Sequence, residues 1–256
     1  MTTIYSEILK SIPMFRGRNQ KLLAILLDPD KIELKNVSNL ISKINQSPAT
    51  HIFVGGSLVN NNILDELIIK LKQETKLPIV LFPGHPSQIS DKADAILFLS
   101  LISGRNPDYL IEYQVQAAPI LKKSTLEIIP TGYILIESGE ETAVEKVSKT
   151  KPLDRNNIDL VLATAQAGEM MGNKLIYLEA GSGAQESVPF EMIHEISKNI
   201  NIPLIVGGGI RSWEKIQAAY DAGADLVVIG TAFEDNDSFF ENTNFKPNLA
   251  EPAIHL

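Results

Sequence analysis

Cysteine is absent from the 256 residues, which excludes disulfides, thiolate metal sites and a cysteine nucleophile together. That absence is compatible with a cytoplasmic protein, the location expected here. No apolar run approaches the roughly 20 residues of a membrane span, and the first 20 residues show neither a long apolar core nor a small-residue cleavage pattern. Clusters of basic residues are also missing. The 23 Lys and Arg are scattered among 31 Asp and Glu, for a net charge of −8, which argues against a nucleic-acid groove or a basic membrane patch. An anionic ligand must therefore be held by local groups against an unfavourable overall field. The four histidines, His51, His85, His194 and His255, show no metal-ligand spacing.

What the chain does have is a recurring unit. Short apolar runs, beginning with LLAILL at 22–27 and HIFV at 51–54, are each followed by a helix-spaced stretch or a polar excursion. Continuous apolar runs of this length read as strands buried on both faces. Further runs lie at 78–82, 95–99, 126–136, 174–179, 203–206 and 225–229. The fifth is expected to break irregularly at Pro130-Thr131-Gly132, and Pro119 to terminate or bend the helix before it. Residues 138–154 are polar without a clear period and read as a surface excursion. Eight β-then-α units in about 250 residues, with no composition shift to mark a linker, predict an α/β fold: a single-domain (β/α)8 TIM barrel over 1–256. An open doubly wound sheet is the alternative.

Three of the runs end in glycine: YLEAGSG at 177–183, VGGG at 206–209 and VIGT at 228–231. With side chains nearly absent there, backbone N–H groups can approach an anionic oxygen closely. In a barrel these ends converge on one face, where phosphate is the natural ligand, although each group alone could be a tight turn. Ser182 and Thr231 add hydroxyl donors. Glu179 ends an apolar strand, where a carboxylate facing the helix layer would be costly to desolvate, so it faces the barrel mouth or an ion partner. Alternation puts Tyr177 on the same side. At the mouth Glu179 can act as a base; as a salt-bridged residue it would be structural. Asp28, before Pro29, is either a helix N-cap or, with Ser57 at the next strand end, a ligand for Mg2+ in an oxygen-rich shell completed by diphosphate oxygens. His85, in the Pro-Gly-His-Pro loop, is either a residue that reaches the mouth or, the favoured reading, an ordinary loop histidine. Arg105 is either a cation for a second anionic group or a solvated side chain.

The motifs LLDPDK (26–31), FVGGS (53–57), SLISGRNPDYL (100–110), TGYILIESG (131–139), YLEAGSG (177–183), VGGGIRS (206–212) and VIGTAFE (228–234) together resemble the geranylgeranylglyceryl phosphate synthases and their bacterial prenylglyceryl phosphate synthase relatives. The longer archaeal-like branch is the better match. The resemblance covers nearly the whole chain. It implies the same barrel and an ether bond formed between sn-glycerol 1-phosphate and a prenyl diphosphate. It further implies Mg2+ at Asp28 and Ser57, and glycerophosphate contacts from Tyr177, Leu178, Glu179, Ala180, Gly181, Ser182, Gly183, Gly208, Gly209, Gly230 and Thr231. Glu179 resembles the carboxylate that takes the proton, and the family tends to self-associate, so a homo-oligomer is expected. A lipid substrate implies transient membrane contact without a transmembrane segment. There are two departures. Leu26-Leu27 stand where the shorter bacterial branch carries a lysine just before the Asp-Pro, and the eighth strand ends Gly-Thr where Gly-Asn is common. The prenyl tail needs an apolar wall, expected from strands 2 to 4. The rival readings are another phosphate-binding barrel, such as a thiamine-phosphate-synthase-like transferase or a sugar-phosphate isomerase, and a phosphometabolite-binding barrel without catalysis.

Overall fold

Runs that are apolar on both faces need cover on both faces, and a closed barrel wrapped in helices supplies it. A computed structural model, describing residues 21–56, 61–230, 233, 239 and 240, shows that arrangement. The strands are β1 (Leu22–Leu27), β2 (His51–Val54), β3 (Ile79–Leu81), β4 (Ala95–Leu101), β5 (Glu127–Leu135), β6 (Leu175–Glu179), β7 (Leu204–Gly207) and β8 (Leu226–Ile229). They pair in sequence order, and β8 closes on β1 in parallel through Leu22↔Leu226 to Ile25↔Ile229. That closure removes the open-sheet alternative. The helices are α1 (Val37–Gln46), α2 (Asn61–Glu74), α3 (Tyr113–Leu121), α4 (Ala143–Ser148), α5 (Ile158–Met170), α6 (Phe190–Asn199) and α7 (Trp213–Ala222).

Alternation along each strand divides the core in two. Inside the barrel lie Ala24, Phe53, Val80, Leu97, Tyr133, Tyr177, Ile205 and Val228. Their chain neighbours, such as Ile25, Ile52, Ile176 and Leu178, pack outward against Ile41, Leu67, Ile193 and Ile216 of the helices. With Tyr177 inward and Leu178 outward, the period of two turns Glu179 inward as well.

Three expectations need correction. β5 runs unbroken through Pro130-Thr131-Gly132. Pro130 accepts a bond from the Lys174 amide through its carbonyl, so its nitrogen faces the same edge ahead of the first residue of β6, where no ladder partner is lost. Gly132 is needed for packing: a Cβ there would lie 2.9 Å from the methyl ends of Ile102 and Ile176. Of the two outcomes expected at Pro119, termination is the one overturned: α3 continues to Leu121. Third, residues 138–154 are built into the barrel mouth. Thr142 caps α4 by accepting from the Glu145 amide, a bond worth about 1 kcal/mol in such positions. Asn106 donates to the Ser148 carbonyl at 2.8 Å, and Leu153 bridges to Ile136 beyond the end of β5. A six-residue helix whose one buried residue is Ser148, followed by the buried Thr150, leaves no hydrophobic period to read.

Candidate active site

The loops after β6 and β7 are shaped by glycines in conformations that L side chains avoid: Gly181, Gly183, Gly208 and Gly209 have φ of 105°, 76°, 83° and 67°. They also lie against each other. A Cβ on Gly208 would be 2.5 Å from Glu179 Oε1 and 2.6 Å from the Gly181 nitrogen, and one on Gly209 would be 2.7 Å from the Glu186–Ser187 peptide. Among the described residues the amides of Ser182, Gly183, Gly208 and Gly209 have no intramolecular acceptor. Orphaned donors in consecutive left-handed turns form an anion-binding nest. Gly230, at the end of β8, lines the same cavity. Thr231 lies outside the described residues. The side chains of Leu178 and Ala180 pack in the outer core and do not reach the cavity, so at these two positions only main chain can meet a ligand.

Glu179 stands where the two loops meet. It is 5% exposed, and Oε1 accepts from the Gly181 amide at 2.6 Å. No Lys or Arg among the described residues pairs with it, which removes the structural salt-bridge reading. Burial raises its pKa to about 7; the Gly181 amide and then the Tyr177 hydroxyl pull the other way without cancelling that push. The Tyr177 hydroxyl lies beside the carboxylate but has no partner in hydrogen-bond geometry. Burial, and after it the Glu179 charge, hold the Tyr177 and Tyr133 phenols well above their ordinary pKa. Tyr133 and Leu135 pair in register with Tyr177 and Glu179. The rings of Phe82, Tyr133 and Tyr177 form a triangle, with centroids 5.3 Å apart for Phe82–Tyr177, 5.4 Å for Tyr133–Tyr177 and 5.9 Å for Phe82–Tyr133. A neutral aromatic floor thus lies beside a carboxyl that can give or take a proton near neutrality.

Both loops border a cavity of about 920 Å³. Its polar lining holds the glycine turns, Glu179 and Asp28; its apolar lining includes Ile89, Ile96, Phe98, Leu99, Tyr109, Tyr113, Ala117, Val144 and Val147. The segment after β3, with Phe82 and Ile89, together with β4, α3 and α4, supplies most of that wall, and no residue of β3 itself takes part. β2 likewise contributes none of its own residues, only Gly55 and Gly56 just beyond it, which corrects the expected shares of strands 2 and 3. A volume of this size with a strongly apolar half suits a long hydrocarbon chain carrying a charged end.

Asp28 is not a helix N-cap. The chain turns from Asp28 to Lys31 and resumes regular structure only at a 3₁₀ turn over Leu34–Asn36. Asp28 Oδ1 accepts from the Asp30 amide at 3.2 Å, and Lys31 Nζ is 3.6 Å from Oδ2. A Cβ on Gly56 would be 3.0 Å from Oδ1, so the β1 and β2 ends meet at the cavity. Ser57 lies outside the described residues. Among those described, no three His, Cys, Asp or Glu side chains converge. One half-engaged carboxylate suits a hard cation that keeps water and substrate oxygens in its shell, as Mg2+ does. Arg105 donates to the carbonyls of Ile102 and Gly104 and is not in the lining, so the structure gives it no anion. His85 lines the cavity and so does reach the mouth; it accepts from the Ser87 amide and packs its ring on Tyr113 at 4.9 Å.

Phe82, Tyr133, Val144, Val147 and Arg211 join the site without being expected there from residue type and spacing. Tyr133 could be found from the inward phase of β5, and Arg211 from its place just after the glycines of VGGGIRS. Val144 and Val147 carry no such signal.

A profile of the PcrB family matches residues 16–246. The geranylgeranylglyceryl phosphate synthase of Flavobacterium johnsoniae is 69% identical over 242 residues, 94% of this chain and 98% of that one. That of Korarchaeum cryptofilum is 41% identical over 86% of this chain and 90% of its own. The crystal structure of (S)-3-O-geranylgeranylglyceryl phosphate synthase from Thermoplasma acidophilum, in complex with its substrate sn-glycerol-1-phosphate, superposes with a TM-score of 0.85 at 33% identity, covering 94% of this chain and 95% of that one.

Proposed function

The chain belongs to the PcrB family, and from that premise we propose that it is a prenyltransferase joining the C3 hydroxyl of sn-glycerol 1-phosphate to a prenyl diphosphate, with release of diphosphate. The observation that carries the reading is the place of Glu179. It is a buried carboxylate without a cation partner among the described residues, set between a phosphate nest and an apolar chamber.

The amides of Ser182, Gly183, Gly208 and Gly209 bind the phosphate and fix the glycerol so that its C3 oxygen lies beside Glu179. Glu179 takes the proton from that oxygen as it attacks the allylic carbon. The new C–O bond forms while the bond from that carbon to the diphosphate oxygen breaks, and the diphosphate leaves with the electron pair. The walls from the segment after β3 and from β4, α3 and α4 hold the prenyl chain and exclude water from the developing positive charge. Asp28, with Ser57, would hold Mg2+, which supplies charge neutralisation to a departing diphosphate when bound. A geranylgeranyl chain is the donor that the relatives' names suggest.

No helix among the described residues is long and apolar enough to cross a membrane. The proposed enzyme is cytoplasmic and meets a membrane transiently to exchange lipid. It is also a homo-oligomer, for which exposed Ile111, Val115 and Ile120 offer apolar surface.

Incubation with sn-glycerol 1-phosphate, Mg2+ and prenyl diphosphates of several lengths tests the proposal. An ether-linked lipid phosphate in the organic phase is expected. Turnover of a sugar phosphate or of a thiamine precursor instead would point to the rival barrels, and saturable phosphate binding with no product to a non-catalytic one.

A further inference from the structure

Three cationic side chains line the cavity among the described residues: Lys31, Lys146 and Arg211. Lys31 lies near Asp28 and Lys146 near Glu141, with side chains 51% and 61% exposed, so both charges are shared and screened. Arg211 is exposed as well, but it differs in its partners. Its Nη2 donates to the carbonyls of Gly183 and Ala184, each at 3.0 Å, and it has no carboxylate partner among the described residues.

Arg211 rises from the loop after β7, and its two acceptors close the turn after β6. It therefore ties one half of the nest to the other. Four amides can converge on one phosphate only while the halves keep their spacing, and glycine turns have no side chains to hold it. The neighbouring brace is built differently. Arg155 donates to the carbonyls of Glu137 and Ser187 at 3.1 and 3.2 Å, and pairs with Glu186 at 2.7 Å. It holds the Glu186–Ser187 peptide against which Gly209 packs, but Glu186 neutralises its charge. Of these two braces, Arg211 alone leaves its charge available to the nest.

We propose that Arg211 is the positioning residue of the nest: it sets the spacing of the two loops and lends them an unneutralised positive charge, so that the site selects a phosphomonoester dianion. This deepens the proposed function and rests on reading the nest as the glycerophosphate site.

The test is calorimetric binding of sn-glycerol 1-phosphate to Arg211→Gln and Arg211→Lys without prenyl diphosphate, followed by steady-state kinetics and thermal melts. Arg211→Gln should weaken glycerophosphate binding about 10- to 100-fold, the range for losing hydrogen bonds from a charged group. Arg211→Lys should recover only part of this, because an ammonium keeps the charge but not the planar fork. The loss should appear in KM for glycerophosphate, with KM for the prenyl diphosphate unchanged. Wild-type affinity in Arg211→Gln overturns the proposal, and so does an equal loss for both substrates. If Arg211→Gln melts below the assay temperature, Arg211→Lys carries the comparison. Should the wild type bind glycerophosphate yet make no ether, while Arg211→Gln binds it more weakly, the proposed reaction fails and the role of Arg211 stands. Ether synthesis by the wild type with undiminished binding by Arg211→Gln leaves the reaction standing and overturns the role of Arg211.

Discussion

Replacing Glu179 by glutamine should make the protein inactive and, at alkaline pH, more stable. The carboxyl titrates at about 7 in the folded protein against an ordinary value of 4.5. Between those values the folded state binds more protons than the unfolded one, so stability falls as pH rises through the window and levels off above about 7. A shift of this size corresponds to about 3 kcal/mol of destabilisation at about pH 8, and to less than about 1 kcal/mol at about pH 5, where the folded carboxyl is still protonated. Glutamine never ionises and keeps a carbonyl for the Gly181 amide. Weakening that bond returns about 1 kcal/mol of the gain. Glu179→Gln should thus exceed the wild type by about 2 kcal/mol at about pH 8 and roughly match it at about pH 5. For a chain of this length that is a rise in Tm of about 4–8 °C at the higher pH. Paired urea or thermal melts at the two pH values read the difference. A variant equally or less stable at both would refute the burial argument.

The remaining predictions concern the reaction itself. In the wild type, kcat/KM for glycerophosphate should rise with pH and level off above about 7 as Glu179 ionises; a flat profile down to about pH 5 would mean that another group takes the proton. Gly208→Ala forces a Cβ to within 2.5 Å of Glu179 Oε1 at φ 83°. It should cost about 1–3 kcal/mol in backbone strain and weaken glycerophosphate binding, which calorimetry would show. Asp28→Asn should raise the Mg2+ concentration for half-maximal activity by about tenfold or more, in keeping with the loss of a charged ligand, while glycerophosphate affinity measured without metal stays near the wild type. An unchanged Mg2+ requirement would remove Asp28 from the metal site.

The strands are legible because they are buried on both faces, so runs such as LLAILL need no partner to be recognised; their number and alternation with helices point to a barrel, and the pairing of β8 with β1 closes it. The glycine turns are legible for the same local reason: positive φ and close backbone approach select glycine at Gly181 and Gly208 whatever lies around them. Pro119 and Pro130 mislead because their effect depends on which main-chain bond is absent, and at Pro130 that edge has no partner to lose. α4 escapes because a short helix that buries only Ser148 shows no hydrophobic period, although its Val144 and Val147 line the apolar chamber. Arg105 and Arg211 show where charge alone falls short. Both follow a strand end and a glycine, yet one turns back on the Ile102 and Gly104 carbonyls and the other reaches across to a neighbouring loop. Reach of that kind is set by loop geometry, which residue type does not encode.

In the proposed mechanism Glu179 is the base for the glycerophosphate hydroxyl and not part of what binds the phosphate. Parallel assays on Glu179→Gln decide it: ether-lipid formation with a prenyl diphosphate, and calorimetric binding of sn-glycerol 1-phosphate. The predicted result is a loss of turnover of about 100-fold or more with binding within a few-fold of the wild type; turnover preserved while binding collapses would contradict it.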